Sequence, residues 1–90
     1  MTSKFDPGRI VATPGAIRFC EENQINIISL VRRHLHGDWG QMCNSDKKAN
    51  EQALIDGSRI FSSYTFPAGD CWVITEANRA STCVLLPSEY

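Results

Sequence analysis

Ninety residues, of which 42% are hydrophobic and 21% are charged, are enough for one small globular domain with a single modest core. Nine Lys and Arg balance ten Asp and Glu, and the net charge of −1 excludes a global field that would attract nucleic acid or anionic lipid. The segment from Met1 to Gly8 is polar and no long apolar run follows it, so we expect no signal peptide, no membrane span and a cytoplasmic protein. Residues 1–90 are expected to form one domain, with residues 1–9 as a flexible arm.

A short edge strand and a helix are predicted near the start of the chain. Ile10 to Ala12 form a brief apolar stretch that suits an edge strand. Thr13 before Pro14 is typical of a helix N-cap with proline at the first helical position. We expect this helix to carry Ile17 and Cys20 inward and to fade at residues 23 and 24.

Two further helices are predicted before the chain changes character. Asn26 is the N-cap of the second, whose periodic apolar segment runs from Ile27 to His36 and is closed by Gly37. The third is capped by Asn44 or Ser45.

The string His34-x-His36-x-Asp38 has the residue types of a metal site. In a strand the three side chains would share one face, because side chains alternate with a period of two. In a helix, which advances about 100° per residue, His34 falls inside the apolar arc and His36 falls on the opposite, solvent face. We therefore predict no metal site and no cofactor.

From Ser58 onward β-branched, aromatic and small hydroxyl residues predominate, which favours strands. Three antiparallel strands are predicted at residues 58–66, 71–76 and 81–87, with turns at residues 67–70 and 77–80. The expected class is α+β, with about three helices packed over one face of a three-stranded meander. Either the Trp72, Ile74, Glu76 face or the Cys71, Val73, Thr75 face could point inward, because a one-residue slip exchanges the two.

Two polar side chains lie on apolar helix faces and require hydrogen-bond partners. His34 lies on the second helix, and Asn50 lies on the apolar stripe of the third, which ends at Gly57. In one interpretation they satisfy each other, or cap the Gly37 turn, and hold the two helices in register. In the other they belong to an active or binding site with Asp38, Trp39, Tyr64, Glu76 and Arg79.

The residues after Gly37 have a structural interpretation as well. Asp38 is expected to bond neighbouring backbone N–H groups in a turn, and Trp39 is expected to plug the core beneath it. The basic pairs Arg32-Arg33 and Lys47-Lys48 are expected on solvent faces, where they could combine into one patch that contacts phosphates.

The four cysteines are expected to be reduced thiols. Cys20 falls in a helix, and Cys71 and Cys83 fall in strands, where cysteine behaves as a small hydrophobe. Cys43 lies in a polar connection, where a nucleophile or a zinc ligand is conceivable although the spacing offers no fourth ligand.

A distinctive set of residues is spread over nearly the whole chain: Ala12 to Ala16, His34, Gly37 to Gly40, Asp46, Asn50, Ser63, Tyr64, Trp72, Ile74 to Glu76, Arg79, Leu85 to Pro87, Glu89 and Tyr90. This pattern resembles a family of small plasmid-related proteins carried by bacterial plasmids and integrative conjugative elements. The resemblance implies a mobile-element setting without an assigned activity, and it implies that His34, Asp38, Trp39 and Asn50 belong together. Asn78 and Ala80 depart from the Asp and Ser expected beside Arg79, which puts an acid or hydroxyl role of that turn in doubt.

Two functional hypotheses follow. The first is a non-catalytic accessory or anti-defence protein that binds a host or plasmid macromolecule, most simply a protein, through a surface around Trp39, Arg32, Arg33 and the exposed sheet face. The second is a small metal-independent ribonuclease, since helices followed by a meander look like the barnase-type ribonucleases and related toxins. Its groups would be Glu76 as base, His34 as acid, and Arg59 and Arg79 at the phosphate. That chemistry requires Glu76 and Arg79 on one face of the sheet.

Overall fold

The order of elements along the chain follows the prediction. The computed structural model describes residues 3–90. Over these residues the elements are β1 (Arg9–Ala12), α1 (Pro14–Glu22), α2 (Ile27–Leu35), α3 (Asn44–Asp56), β2 (Ile60–Phe66), β3 (Gly69–Thr75), β4 (Ser81–Leu85) and a 3-10 turn, η1 (Pro87–Glu89). Helices precede the meander, and the α+β class is confirmed. Within residues 3–90, every helix is too short or too polar to cross a membrane.

β1 pairs with β4 in the parallel direction, so the sheet contains both parallel and antiparallel pairs. The strand order is β1-β4-β3-β2. β2, β3 and β4 pair antiparallel as predicted, whereas β1 runs parallel to β4, with Arg9 opposite Ser81 and Ala12 opposite Val84. The edge strand is confirmed, but the sheet is not purely antiparallel. All three helices lie between β1 and β2 in the chain, and so long a connection permits β1 to enter in either direction.

The inward face of β3, which the sequence left open, carries Cys71, Val73 and Thr75. Each of them has 0% of its surface exposed. Trp72 and Glu76 are half-buried on the other side. The helices therefore cover the Cys71 face.

The turn between β2 and β3 is tighter than predicted. Residues 67 and 68 form the turn alone, because the ladder continues through Phe66 opposite Gly69 and Thr65 opposite Asp70. β4 ends at Leu85, before the expected Pro87, because proline lacks the N–H that a strand would need and instead begins η1.

The predicted N-caps of α1 and α2 are confirmed. Thr13 Oγ1 accepts a hydrogen bond from the N–H of Ala16 at 3.0 Å, and Asn26 caps α2 in the same manner. α2 ends at Leu35, one residue earlier than expected, and Gly37 follows with a φ of 86°. That left-handed conformation is readily adopted by glycine.

The cap of α3 differs from the prediction. Cys43 occupies the N-cap position with an extended backbone, and its side chain makes no cap hydrogen bond. Asn44 and Ser45, expected as caps, belong to the first turn instead. At the other end Gly57 has a φ of 80°, as a helix-ending glycine should.

The core lies between the helices and the sheet. Its main cluster consists of Ala16, Cys20, Leu30, Val31, Tyr64, Cys71, Val73 and Val84, and a second cluster consists of Trp39, Ala53 and Ile60. α1 presents Ala16 and Cys20 to the core, whereas Ile17, expected inward, is 41% exposed. The helix is rotated so that its smaller residues face the sheet.

The segment expected to be an arm is packed against the domain over its described residues. The N–H of Lys4 donates to the carbonyl of Leu35 at 2.9 Å. Phe5 is half-buried, and Arg9 begins β1. The part of the predicted arm formed by Met1 and Thr2 lies outside the described residues.

Candidate functional site

The imidazole of His34 belongs to a hydrogen-bond chain beneath the helices. Its Nδ1 is 2.6 Å from Ser62 Oγ, and its Nε2 is 2.9 Å from Thr75 Oγ1. Thr75 Oγ1 lies 2.6 Å from Thr82 Oγ1, and Thr82 donates to the carbonyl of Pro7 at 2.7 Å. Because the hydroxyl of Thr82 donates its hydrogen to the carbonyl of Pro7, it can only accept from Thr75, and Thr75 must donate to Thr82. Thr75 therefore accepts from Nε2–H of His34, and Nδ1 accepts from Ser62, which assigns the neutral Nε2–H tautomer.

Two aromatic rings seal this imidazole from solvent. The ring of Phe5 meets it edge-on at 5.2 Å between centroids, and the ring of Trp39 does so at 5.9 Å. Trp39 is held in place because its Nε1–H donates to Glu51 at 2.8 Å. His34 has 0% of its surface exposed and Trp39 has 4%. The histidine is sealed beneath the rings, as the structural interpretation expects.

Burial determines the protonation state of this group. Loss of solvent lowers the pKa of His34 to about 3, and the positive charge of Arg79 acts in the same direction. At neutral pH the ring is therefore uncharged. General acid catalysis by histidine needs the imidazolium form, because the Nε2–H of a neutral imidazole is too weak an acid to protonate a leaving group.

Asp38 and Tyr64 form a separate cluster at the end of α2. Asp38 accepts from Arg33 Nε at 2.7 Å and from the N–H of Gly40 at 3.2 Å. The hydrogen bond from Arg33 is the largest reason that the pKa of Asp38 is lowered. The same guanidinium lies 4.4 Å from the centre of the Tyr64 ring, whose hydroxyl donates to the carbonyl of Asp38 at 2.6 Å. Burial raises the pKa of Tyr64 to about 12. These contacts lock the turn, as predicted for Asp38.

Asn50 does not satisfy His34 and does not cap the Gly37 turn. Its Nδ2 donates to the carbonyl of Phe61 at 2.6 Å, and its Oδ1 accepts from the N–H of Phe61 at 3.1 Å. The side-chain amide therefore pairs with β2 as a neighbouring strand would. The hypothesis that the two buried polar groups pair with each other is wrong, because each one finds its partners in the sheet.

The rest of the β2 edge is capped by the loop before α3. The N–H of Ser63 donates to the carbonyl of Trp39 at 3.1 Å, and its carbonyl accepts from the N–H of Gln41 at 2.8 Å. Gln41 Oε1 also accepts from the N–H of Thr65 at 2.9 Å. The backbone can approach this closely because residue 40 is glycine, where a Cβ would lie 2.0 Å from the Ser63 oxygen.

Arg79 is committed to holding the turn between β3 and β4. Its guanidinium donates to the carbonyls of Ser58 at 2.7 Å, Ala53 at 3.0 Å and Glu76 at 3.1 Å. It also lies over the ring of Phe5, at 5.7 Å, on the helix side of the sheet. All these carbonyls are backbone groups, which gives Arg79 a structural role.

Glu76 and Arg59 pair on the opposite side. The distance between Arg59 Nη2 and Glu76 Oε1 is 3.1 Å, and Arg59 also donates to the hydroxyl of Tyr90 at 3.0 Å. The Tyr90 ring contacts Trp72 on the outer face. The carboxylate of Glu76 is thus paired with Arg59 on the outer face, whereas the guanidinium of Arg79 and the imidazole of His34 lie on the helix side near Phe5. The four groups that a ribonuclease would need do not gather in one place.

The four residues of the two basic pairs differ in how they are engaged within the fold. Arg33 is bound to Asp38, and Lys47 lies close enough for its charge to act on the same carboxylate. Arg32 and Lys48 are exposed. Of the three side chains expected in the binding surface beside the exposed sheet face, Trp39 is buried, Arg33 is 40% exposed but paired with Asp38, and Arg32 is exposed.

The thiols follow the predicted distribution. Cys20 and Cys71 are buried and free, Cys83 is half-buried, and Cys43 is exposed. Burial raises the pKa of the Cys71 thiol to about 12. Among residues 3–90, His, Cys, Asp and Glu side chains nowhere gather in a group of three or more that could hold a metal ion.

An open groove beside β1 is the feature that sequence reasoning missed. It has a volume of about 290 Å³ and is lined by the apolar side chains of Ile10, Ile28, Val31 and Leu35, together with Arg32 and His36. Ile10 is 45% exposed and Ile28 is 55% exposed. The signal in the sequence was Ile28, which falls at the margin of the apolar arc of α2 and is larger than an exposed helix position requires.

Comparison with protein-family models, with curated proteins and with solved structures found no match for the chain. The resemblance to the plasmid-related family stays a prediction.

Proposed function

We propose that the protein is a non-catalytic binding protein that holds a protein partner in the groove between β1 and α2. The observation that carries the proposal is this groove, in which exposed Ile10 and Ile28 lie beside the buried Val31. Exposed apolar side chains clustered around a concavity gain free energy when a partner removes them from water. The proposal keeps the mobile-element and anti-defence setting that the sequence resemblance implies.

The internal contacts of the chain support a role without catalysis. His34 is neutral and sealed, and Arg79 is bound to backbone carbonyls. Glu76 is paired with Arg59 on the far side of the sheet. Side chains that could transfer protons or bind a phosphate are thus used to hold the fold together. We also place the protein in the cytoplasm, since the described cysteines are free thiols, as is usual in a reducing compartment.

The test uses an isoleucine in the groove and a matched isoleucine outside it. Ile28→Lys places a charge at the groove, whereas Ile55→Lys changes an 81% exposed residue of α3 that does not line it. Wild-type and variant proteins are immobilised and exposed to lysate of cells that carry the gene. A lysate protein that is retained by wild type and Ile55→Lys but not by Ile28→Lys is the candidate partner. It is then purified, and the dissociation constant of its complex with wild type and with each variant is measured.

We expect the partner to bind wild type and Ile55→Lys equally and to bind Ile28→Lys at least tenfold more weakly, because a buried isoleucine is worth about 1.5–3 kcal/mol. Equal retention by all three proteins, or no retained protein at all, would contradict the proposal. Circular dichroism of the variants checks that both remain folded.

A further inference from the structure

The two edges of the sheet are treated differently by the chain. At the β2 edge, Asn50, Trp39 and Gln41 pair with the outward backbone groups of the strand. Such capping prevents another strand from adding there. At the opposite edge, α2 lies above β1. Within residues 3–90, no hydrogen bond is made to the backbone groups of β1 that point away from the sheet.

The backbone groups at the β1 edge can be identified from the pairing with β4. The N–H groups of Arg9 and Thr13 donate to the carbonyls of Ala80 and Val84, both at 3.0 Å. Because strand residues alternate in the direction of their backbone groups, those of Ile10 and Ala12 point away from β4. These outward groups form a short template on which a further strand could pair.

The groove lies next to this template on the helix side of the sheet. Ile10 contributes its backbone to the open edge and its side chain to the groove. A strand added to β1 would run about 4.8 Å away, with every second side chain pointing toward α2. Those side chains would meet Ile28 and Leu35.

The charges around the groove indicate the chemistry of such a strand. Arg32 and His36 line it, and none of the described residues that line it carries a carboxylate. The ion pairs within residues 3–90 join Arg33 to Asp38 and Arg59 to Glu76, which leaves Arg32 without one. A carboxylate on the incoming strand, two residues from an apolar side chain, would share its face and reach Arg32.

We infer that the partner contributes an extended segment that pairs with β1 as a fifth strand, with an apolar side chain in the groove and an acidic side chain two residues away on Arg32. This inference rests on the proposed function and adds to it the binding mode and the class of partner segment. A second copy of the chain suits the edge less well, because its own Arg32 and His36 would be brought to a place that already holds two basic side chains.

The test uses a fluorescent peptide, Thr-Glu-Thr-Ile-Thr-Glu-Thr, with blocked ends. Its isoleucine and both glutamates share one face of a strand, so the design works in either strand direction. We expect it to slow hydrogen exchange at the amides of Ile10 and Ala12 in the full chain, measured by NMR. A peptide with lysine in place of both glutamates should bind up to about fivefold more weakly, since the attraction between a glutamate and Arg32 becomes a repulsion between lysine and Arg32.

Charge exchange and N-methylation make the inference specific. The variant Arg32→Glu should prefer the lysine peptide over the glutamate peptide, which reverses the wild-type order. N-methylation either at the peptide isoleucine or at the following threonine should abolish binding, and the sensitive position reports the strand direction. If neither methylated peptide is weakened, or if exchange at Ile10 and Ala12 is unchanged, strand addition is wrong.

The outcome separates this inference from the proposed function. If a partner binds wild type but not Ile28→Lys, and its binding does not slow hydrogen exchange at the amides of Ile10 and Ala12, the proposed function stands and strand addition is overturned. Protection of these amides in the free protein at rising concentration, with a doubled mass in sedimentation, would mean that a second copy occupies the edge, and this also would overturn the inference.

Discussion

The strongest stability prediction concerns acid destabilisation through His34. The imidazole is neutral in the fold with a pKa of about 3, against an ordinary value of 6.5 in the unfolded chain. Between these two values the unfolded state binds a proton that the folded state does not, so the free energy of unfolding falls as the pH is lowered. Well above pH 6.5 neither state binds the proton and the full stability is present.

The magnitude follows from the size of the shift. From pH 7.5 to pH 5 the protonation of His34 in the unfolded chain should remove about 2 kcal/mol from the free energy of unfolding, at about 1.4 kcal/mol per pH unit. Carboxylates with lowered pKa, such as Asp38, lose their contributions mainly below this window. Acid loss above pH 5 therefore separates the contribution of His34 from that of these carboxylates.

Urea unfolding at pH 7.5 and pH 5 measures the effect, with circular dichroism as the readout. His34→Gln should be less stable than wild type at pH 7.5 by about 1–3 kcal/mol, because Ser62 loses its acceptor, yet it should lose about 2 kcal/mol less on going to pH 5. His36→Gln is the control and should keep the acid dependence of wild type. Equal acid losses in wild type and His34→Gln would refute the assignment.

Three further predictions test the capped edge and the buried thiols. Asn50→Leu should lower the free energy of unfolding by about 2–4 kcal/mol, because it leaves two backbone groups of β2 without partners; a change below 1 kcal/mol in urea titration would argue against the capping role. Gly40→Ala should cost about 2–4 kcal/mol, from left-handed strain and a clash with Ser63, and a melting temperature equal to that of wild type would contradict it. Iodoacetamide should label Cys43 in the folded protein well before Cys71, and equal labelling rates by mass spectrometry would show that Cys71 is accessible.

Each of these predictions has a matched control in the chain. Gln52→Leu changes an exposed residue of α3 and should leave stability nearly unaltered. Gly57 has a φ of 80°, and a Cβ added there would have nothing within 4 Å. The control Gly57→Ala therefore introduces the same backbone strain as Gly40→Ala without a steric clash. For the thiols, labelling in urea should make the cysteines equally reactive.

Much of the helical layer could be predicted because its signals are local. Thr13, Asn26 and Gly37 act within one turn of their own positions, and the inward direction of His34 follows from the helix period. The cap at Cys43 escaped this reasoning, because its side chain makes no capping hydrogen bond and only the extended backbone marks it.

The site residues could be named from the sequence, but their partners could not. His34 pairs with Ser62 and Thr75, which are 28 and 41 residues further along the chain. Those contacts depend on which face of each strand turns inward, and a slip of one residue in β3 would put Ile74 or Glu76 in place of the Thr75 hydroxyl. The same reasoning explains why Asn50 was expected to pair with His34 and was found on β2.

The sequence by itself determined the α+β class, the three helices with most of their ends, and a buried histidine that needs hydrogen-bond partners, because propensity, capping and periodicity act over a few residues. Tertiary structure alone decided that Phe5 closes over His34 and that β1 lies parallel to β4. It also decided that one sheet edge is capped while the other stays open beside a groove. Those outcomes depend on the packing of segments far apart in the chain, which no local pattern encodes.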